Sequence, residues 1–406
     1  MFTVSVLGYG GRGSVYARNF SVQGVEIAAV CDPDPKRLEL AAGYTGNLYS
    51  NEDDFFSAGK LSDLLVISTM DRLHFEQTMK ALELGYDVLL EKPIATNAEH
   101  CRRIAQKAKE KNRNVIVCHV LRYSPFFRKI KELLSEGSFG KVINLQLTED
   151  IGYYHFAHSY VRGNWRNRET SAPVILAKSC HDLDIINWLV DDQCTRLSSF
   201  GSLQLFRKEC APENSTAHCK DCPVRDKCVF DCFKIYTNQE YERLAGLARH
   251  GHLGTTEEEI RSALSNEAEP YGRCVYRCDN NVFDNQIVNM EFAHGAHAQF
   301  MLSAFTEGMS RCIKIGCEKG VIYGSLEKNT LHSIRYGQRE ERCLLSHENE
   351  LYASHGGGDM GIVLGVMEFY QNGSACASSV EQSVSSHLMC FAAEESANRG
   401  GEVISL

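Results

Sequence analysis

A chain of 406 residues is too long for one small core, so two domains are the expected arrangement. Its 43% hydrophobic and 23% charged residues are ordinary for a soluble globular protein. The net charge of -9, spread without long acidic runs, argues against nucleic acid as the partner. No apolar stretch approaches the roughly 18 residues needed to cross a bilayer, which excludes a membrane span as partner surface. The opening Met1-Phe2-Thr3-Val4 lacks a basic, apolar leader, so a cytoplasmic protein whose fold begins at its first residue is expected. In that setting seventeen cysteines read as free thiols plus a metal site, not as a disulfide framework.

The β-rich run Thr3 to Leu7 leads into Gly8-Tyr9-Gly10-Gly11-Arg12-Gly13, and a helical pattern follows from Ser14 to Phe20. Strand, G-x-G-x-x-G and helix in that order form a dinucleotide-binding turn. The first glycine allows the turn, the second lets backbone approach a pyrophosphate, and the third lets helix and strand pack closely. A second strand, Val25 to Cys31, ends in Asp32, at about the spacing of the acid that holds the adenosine ribose. Asp32 could equally cap the next helix before Pro33, and the two roles are compatible. An acid there repels a 2′-phosphate, which favours NAD over NADP, although Lys36 and Arg37 close behind temper the preference.

The alternation continues with a strand at Leu64 to Thr69, a helix at His74 to Leu84, and a strand at Asp87 to Leu90. A helix at Ala98 to Lys111 and a strand at Val115 to Cys118 complete it. Such alternation implies a doubly wound parallel sheet, an α/β Rossmann domain whose ligands sit beyond the C-terminal strand ends. Thr69, Asp71 and His74 fall there after one strand, and Glu91-Lys92-Pro93 after the next.

The glycine turn, Asp32, Ile67-Ser68-Thr69 with His74, Glu91-Lys92-Pro93 and Cys180-His181-Asp182-Leu183-Asp184 occur in an order that resembles the Gfo/Idh/MocA oxidoreductases. The likeness covers most of the chain. It implies a Rossmann domain over residues 1–121 and a second α/β domain over 122–406 with an open, mostly antiparallel sheet. It also implies a homo-dimer or homo-tetramer that oxidises or reduces a sugar or polyol carbon with NAD or NADP. Cofactor contacts would come from Gly8, Gly10, Gly11, Arg12, Gly13, Asp32, Thr69, His74, Glu91 and Lys92. Lys92 matches the lysine beside the reacting hydroxyl, and His181 the histidine that hydrogen-bonds the substrate. Either group suits removal of the hydroxyl proton as hydride leaves. The chain departs from the pattern four residues before His181, where an aspartate is usual and Ala177 stands. Lys178 beside it is a candidate substitute base, or a site for an anionic sugar.

In the second half, a helix from Pro125 to Leu134 and a strand from Val142 to Thr148 precede Tyr153 to Arg168, expected to be irregular. Its interleaved aromatic, histidine and arginine residues suit a carbohydrate, because aromatic faces stack on CH groups while polar tips reach hydroxyls. Tyr154, His155, His158, Tyr160, Arg162, Trp165 and Arg166 are candidates, with an interdomain contact as the competing reading. Ser179 is the expected N-cap of a helix to Val190 that carries His181 and Asp184 on one face, with Asp184 a further candidate for binding the substrate. Residues 208–277 read as an insertion. Within it Cys219-x2-Cys222-x5-Cys228-x3-Cys232 is spaced for a structural zinc, with Cys210, Cys274 and Cys278 as alternative ligands and free thiols or a disulfide as the other reading. Residues 238–269 read as charged and helical.

Strand patterns at Gln286–Phe292, Ala296–Ala304 and Cys312–Ile315, with turns at His294-Gly295 and Glu318-Lys319-Gly320, suit the antiparallel sheet. His355-Gly356-Gly357-Gly358-Asp359 then opens a helix to Tyr370, where His355 borders a ligand or the segment is a connector capped by Asp359. A last helix, Ser383 to Arg399, is expected to pack back on the first domain. Three functions fit: an NAD-dependent sugar or polyol dehydrogenase, a glycosidase or lyase using transient oxidation, and a non-catalytic nucleotide or sugar sensor.

Overall fold

The computed structural model describes residues 2–237, 253–254, 256–343, 345 and 354–406. The expected helical stretch 238–269 lies partly outside them, and its described portion contains a helix at Glu257–Leu264.

Six short apolar runs form the first sheet: β1 (Thr3–Leu7), β2 (Glu26–Cys31), β3 (Leu48–Tyr49), β4 (Leu64–Ile67), β5 (Asp87–Leu90) and β6 (Val115–Val117). They lie in the order β3-β2-β1-β4-β5-β6 and every pairing is parallel. β4 and β5 are buried at each position, as strands covered by helices on both faces must be. The strand order reverses between β1 and β4, which opens a crevice at their C-terminal ends. Gly13 fixes one wall of it, since a Cβ there would lie 1.9 Å from the Gly8 carbonyl oxygen.

The second sheet is built from β7 (Val142–Asp150), β8 (Cys194–Ser202), β9 (Asn285–Phe292), β10 (His297–Ser303), β11 (Ser310–Cys317), β12 (Gly320–Ser325), β13 (Thr330–Arg335), β14 (Glu341–Arg342) and β15 (Ile404–Ser405). Its order is β14-β13-β12-β11-β7-β10-β9-β8-β15, antiparallel except between β7 and β10. Burial alternates along β9 and β11, so one face packs on helices and the other is open.

Two local expectations change. Ser179 precedes the helix Cys180–Val190, but its backbone is not extended, and its buried hydroxyl has no partner among the described residues and does not cap the helix. The segment from Tyr153 is not irregular. It forms a helical turn, Tyr153–Phe156, that widens into a π-helix over Ala157–Arg162. Glycine ends that wide turn, because a Cβ on Gly163 would lie 2.6 Å from the His158 carbonyl oxygen.

The chain returns to its first domain near its end. The helix Gly358–Asn372 places Met360, Ile362, Val363 and Val366 in one core with Val4, Tyr16 and Val66. The last helix, Val380–Asn398, packs back as expected and also serves the second domain. Its Val380 lies in the first-domain core and its Met389 and Cys390 in that of the second. His387 on this helix accepts the Ile94 N–H at 3.0 Å.

Gly13→Ala is expected to destabilise the protein by about 3 kcal/mol, since backbone must shift to admit the methyl group. Gly11→Ala, whose Cβ meets nothing within 4 Å, should leave the urea midpoint unchanged.

Candidate functional site

At the crevice, the helix Gly11–Val22 begins after Gly10 with no side-chain cap, and a Cβ on Gly11 would face open space. Uncapped N–H groups beside open space fit a dinucleotide pyrophosphate. Asp32, 2% exposed, accepts the Tyr9 N–H at 2.7 Å and the Asp34 N–H at 2.9 Å. Asp34, not Asp32, caps the helix Pro35–Ala41. The Arg37 guanidinium stands 3.5 Å from the Asp32 carboxylate, and it is the nearest group to a Cβ built on Gly10.

Arg12 and Glu91 do not point their charges outward as cofactor ligands. Arg12 Nε donates to Glu91 Oε1 at 2.7 Å, and its terminal nitrogens form a bidentate pair with Asp359 at 3.0 and 2.8 Å. The Tyr16 hydroxyl accepts from Arg12 at 2.6 Å and donates to Glu91 Oε1 at 2.7 Å. Burial opposes ionisation of Asp359, but His355 and Arg12 overcome it and hold its carboxyl well below the usual range. Asp359 therefore does more than cap a connector, since it locks the glycine turn. His74 and Thr69 likewise make hydrogen bonds within the fold. His74, 1% exposed, spans the Pro93 carbonyl at 2.7 Å and the Thr69 carbonyl at 3.3 Å, while the Thr69 hydroxyl donates to Gln77. Both residues fasten neighbouring strand ends together.

Glu91 Oε2 accepts the Lys92 N–H at 3.0 Å, and Lys92 Nζ crosses to the second domain to donate to the Ala177 carbonyl at 2.7 Å. The position that lacks the expected aspartate thus holds the lysine by its backbone. His181 lies one helical turn further on and is 4% exposed, with Nδ1 lacking a partner among the described residues. Burial, then the charge of Lys92, keeps this imidazole well below its ordinary pKa of 6.5, so it is neutral. His119 packs edge-on against it at 5.8 Å, and His355 lies at 6.1 Å between ring centroids. His355 has φ 52, a conformation costly for a non-glycine residue and frequent at functional sites.

Lys178 is not a free base. Its Nζ pairs with Glu149 at 3.1 Å, and burial lowers its pKa. Glu149 on β7 lies opposite Arg311 on β11, whose Nε is 2.6 Å from Glu149 and 2.8 Å from Asp182. Burial, assisted by Glu149, raises the Asp182 carboxyl against the pull of Arg311. The sequence reading missed Glu149 and Arg311. The signal for Glu149 was an acid at the inward position following Leu145 and Leu147 on an alternating strand.

Asp184 does not face a substrate. Fully buried, it makes a bidentate pair with Arg122 at 2.7 Å on both oxygens. His158 and Arg162 also turn elsewhere, towards the insertion. His158 Nδ1 meets the Tyr236 hydroxyl at 2.7 Å and its ring stacks on Tyr271, while Arg162 donates to the carbonyls of Arg273 and Phe230. Tyr154 packs on the apolar cluster of the insertion. Trp165 is different, because its indole N–H donates to Asp71 at 3.2 Å, beyond the end of β4. Of the substrate candidates, Trp165 and His355 therefore remain at the crevice. Among the four expected zinc ligands, Cys219 and Cys232 come together with Asp231, their ligand atoms all within 4.8 Å. Cys222 and Cys228 lie with Cys219 around a small cavity that Cys232 does not line.

A doubly wound nucleotide-binding domain, joined to an open sheet with a lysine and a histidine meeting between them, defines a two-domain NAD-binding oxidoreductase. Residues 2–119 match the family model described as an oxidoreductase family with an NAD-binding Rossmann fold, and residues 131–406 its C-terminal alpha/beta domain. The chain belongs to the Gfo/Idh/MocA oxidoreductase family. Similar proteins include the putative oxidoreductase YteT of Bacillus subtilis, 26% identical over 76% of this chain and 71% of the relative. Inositol 2-dehydrogenase 3 of Saccharopolyspora erythraea is 30% identical over 47% of this chain, a match spanning 54% of that relative. Among solved structures, levoglucosan dehydrogenase in complex with NADH and levoglucosan aligns over 99% of this chain and 98% of its own. It does so with a TM-score of 0.74 at 15% identity, a likeness of fold.

Arg122→Ala should cost about 3–5 kcal/mol in urea unfolding, because it leaves the Asp184 carboxylate buried without its partner. Acid should also destabilise the protein. Burial holds His119 and His181 well below 6.5, and His387 at about 3. The unfolded chain binds protons that the fold refuses, so this stability is present above pH 6.5 and lost below it. Urea midpoints should therefore fall as the pH is lowered from about 7 through about 5.5.

Proposed function

We propose that the protein transfers hydride between NAD and a hydroxyl or carbonyl carbon of a sugar or polyol. The observation that carries this reading is the Lys92 ammonium fixed at the Ala177 carbonyl, one helical turn before a neutral, buried His181. When bound, the nicotinamide supplies the acceptor or donor of hydride. The chain supplies the rest. His181 accepts the hydroxyl proton on its neutral imidazole, and Lys92 turns its remaining N–H groups to the oxygen as negative charge develops. Trp165, held by Asp71, offers an aromatic face to the sugar ring. A polyhydroxylated substrate is consistent with the inositol and levoglucosan dehydrogenases among the similar proteins. Asp32 favours NAD, and Arg37 beside it makes NADP a weaker second cofactor.

A second reading rests on Ala177 and Asp182. With no carboxylate at residue 177 and a buried Asp182 whose pKa is raised, transient oxidation followed by loss of a glycosidic leaving group is the alternative chemistry. A second copy of the chain is the proposed cover for Phe200, Ile287 and Met301, exposed in one cross-strand row of the open sheet face.

NADH formation across sugars, polyols, uronic acids and simple glycosides, at near-stoichiometric protein, tests the assignment. Sustained NADH with one class is expected, and Lys92→Ala should lower kcat about a thousandfold. A single turnover accompanied by glycoside cleavage would replace it with the second reading. Bound NAD without either activity would overturn both.

A further inference from the structure

The insertion encloses a feature that the oxidoreductase chemistry does not use. Cys219, Cys222, Cys228 and Cys274 line one small cavity together with Arg162 and Asp231. Two tight 3-10 turns, Cys219–Asp221 and Arg225–Lys227, deliver the first three thiols. In them the Cys222 N–H donates to the Cys219 carbonyl at 3.2 Å and the Cys228 N–H to the Arg225 carbonyl at 2.9 Å. The fourth thiol arrives from 55 residues further along the chain, brought in by a β-bridge between His218 and Arg273. The Cys274 N–H then donates to the Ala217 carbonyl at 2.8 Å.

Arg162 gives the independent indication. It is 0% exposed, donates to the carbonyls of Arg273 and Phe230 at 2.8 Å each, and leaves Nη1 without a partner. Among the described residues no carboxylate comes within ion-pair distance of it. Asp231 lines the same cavity but spends Oδ1 on the Phe233 N–H at 3.1 Å. The sulfur of Cys219, 3.8 Å from Nη2, is the acidic group that Arg162 touches. A buried guanidinium with no carboxylate partner among the described residues is a costly arrangement, and it calls for negative charge in the cavity.

We propose that Cys219, Cys222, Cys228 and Cys274 bind one zinc ion as a tetrathiolate, whose net negative charge neutralises Arg162. Four thiolates around a divalent cation form a closed, structural coordination sphere with no open position for catalysis. This set exchanges Cys232, whose ligand atom lies within 4.8 Å of those of Cys219 and Asp231, for Cys274, which lines the cavity with the other three thiols. Cys232 is buried beside Phe233, Ile235 and Tyr236 and does not line the cavity, although its thiol reaches Cys219. The ion braces the insertion against the π-helix that ends at Arg162, and so steadies the approach of Trp165 to Asp71.

The test is elemental analysis of the full chain, purified under reducing conditions from zinc-supplemented culture. One zinc per chain is expected. Cys222→Ser and Cys274→Ser should lose it, whereas Cys232→Ser should keep it. Because a variant that loses the ion could fail to fold, the wild-type chain is also exchanged with cobalt(II). Intense sulfur-to-cobalt charge-transfer absorption with tetrahedral visible bands is the supporting result. Zinc far below stoichiometry together with no such bands would overturn the proposal. So would zinc retained by Cys274→Ser but lost by Cys232→Ser, or a Cys219–Cys232 disulfide found in the metal-free chain by peptide mass mapping.

Discussion

A single guanidinium organises the site. Arg12 leaves the glycine turn and is gripped by Glu91 from the end of β5, by Asp359 from the far end of the chain, and by Tyr16 from its own helix. Its positive charge lets two carboxylates remain ionised in a crevice that burial would otherwise empty of charge. Because Glu91 also holds the Lys92 N–H, the shape of the glycine turn and the position of the lysine are set together. The glycine turn and Lys92 are thus parts of one hydrogen-bonded unit.

Around that unit the second domain contributes desolvation more than charge. Its charged groups near the crevice are already matched, Lys178 to Glu149 and Arg311 to Glu149 and Asp182. What remains is the neutral imidazole of His181, lowered first by burial, with His119 of the first domain packed against it. A neutral imidazole beside an ammonium is a suitable pair for moving one proton while an alkoxide forms.

The Rossmann half was legible because its signals are local. Runs such as Leu64–Ile67 and Asp87–Leu90, and a glycine turn between strand and helix, fix element types through nearest neighbours. Lys92 and His181 were visible only through their motifs, since they meet across the domain boundary. Asp184, His158 and Arg162 were misread for one reason. Each has the chemistry of a ligand-binding group, and each is matched by a partner far along the chain: Arg122, Tyr236, and the carbonyls of Phe230 and Arg273. Composition marks such a residue as polar and reactive, but only the fold reveals that its hydrogen bonds are already spent. Regular spacing likewise ranked Cys274 behind Cys232, and only the fold shows the β-bridge that carries Cys274 to the cavity of Cys219, Cys222 and Cys228.

The helix Gly358–Asn372 has a bearing on how the molecule comes into being. It fills the core beneath β1 and β4, and its Asp359 closes on Arg12. The nucleotide-binding half is therefore discontinuous, written at both ends of the message. A ribosome that has released the first sheet has not yet released the residues that seal it. Until some 370 residues have emerged, Tyr16 lacks its apolar cover and Arg12 lacks one of its two carboxylates. The clasp on the glycine turn thus closes late in synthesis, and a chain cut short before Gly358 carries the turn without it.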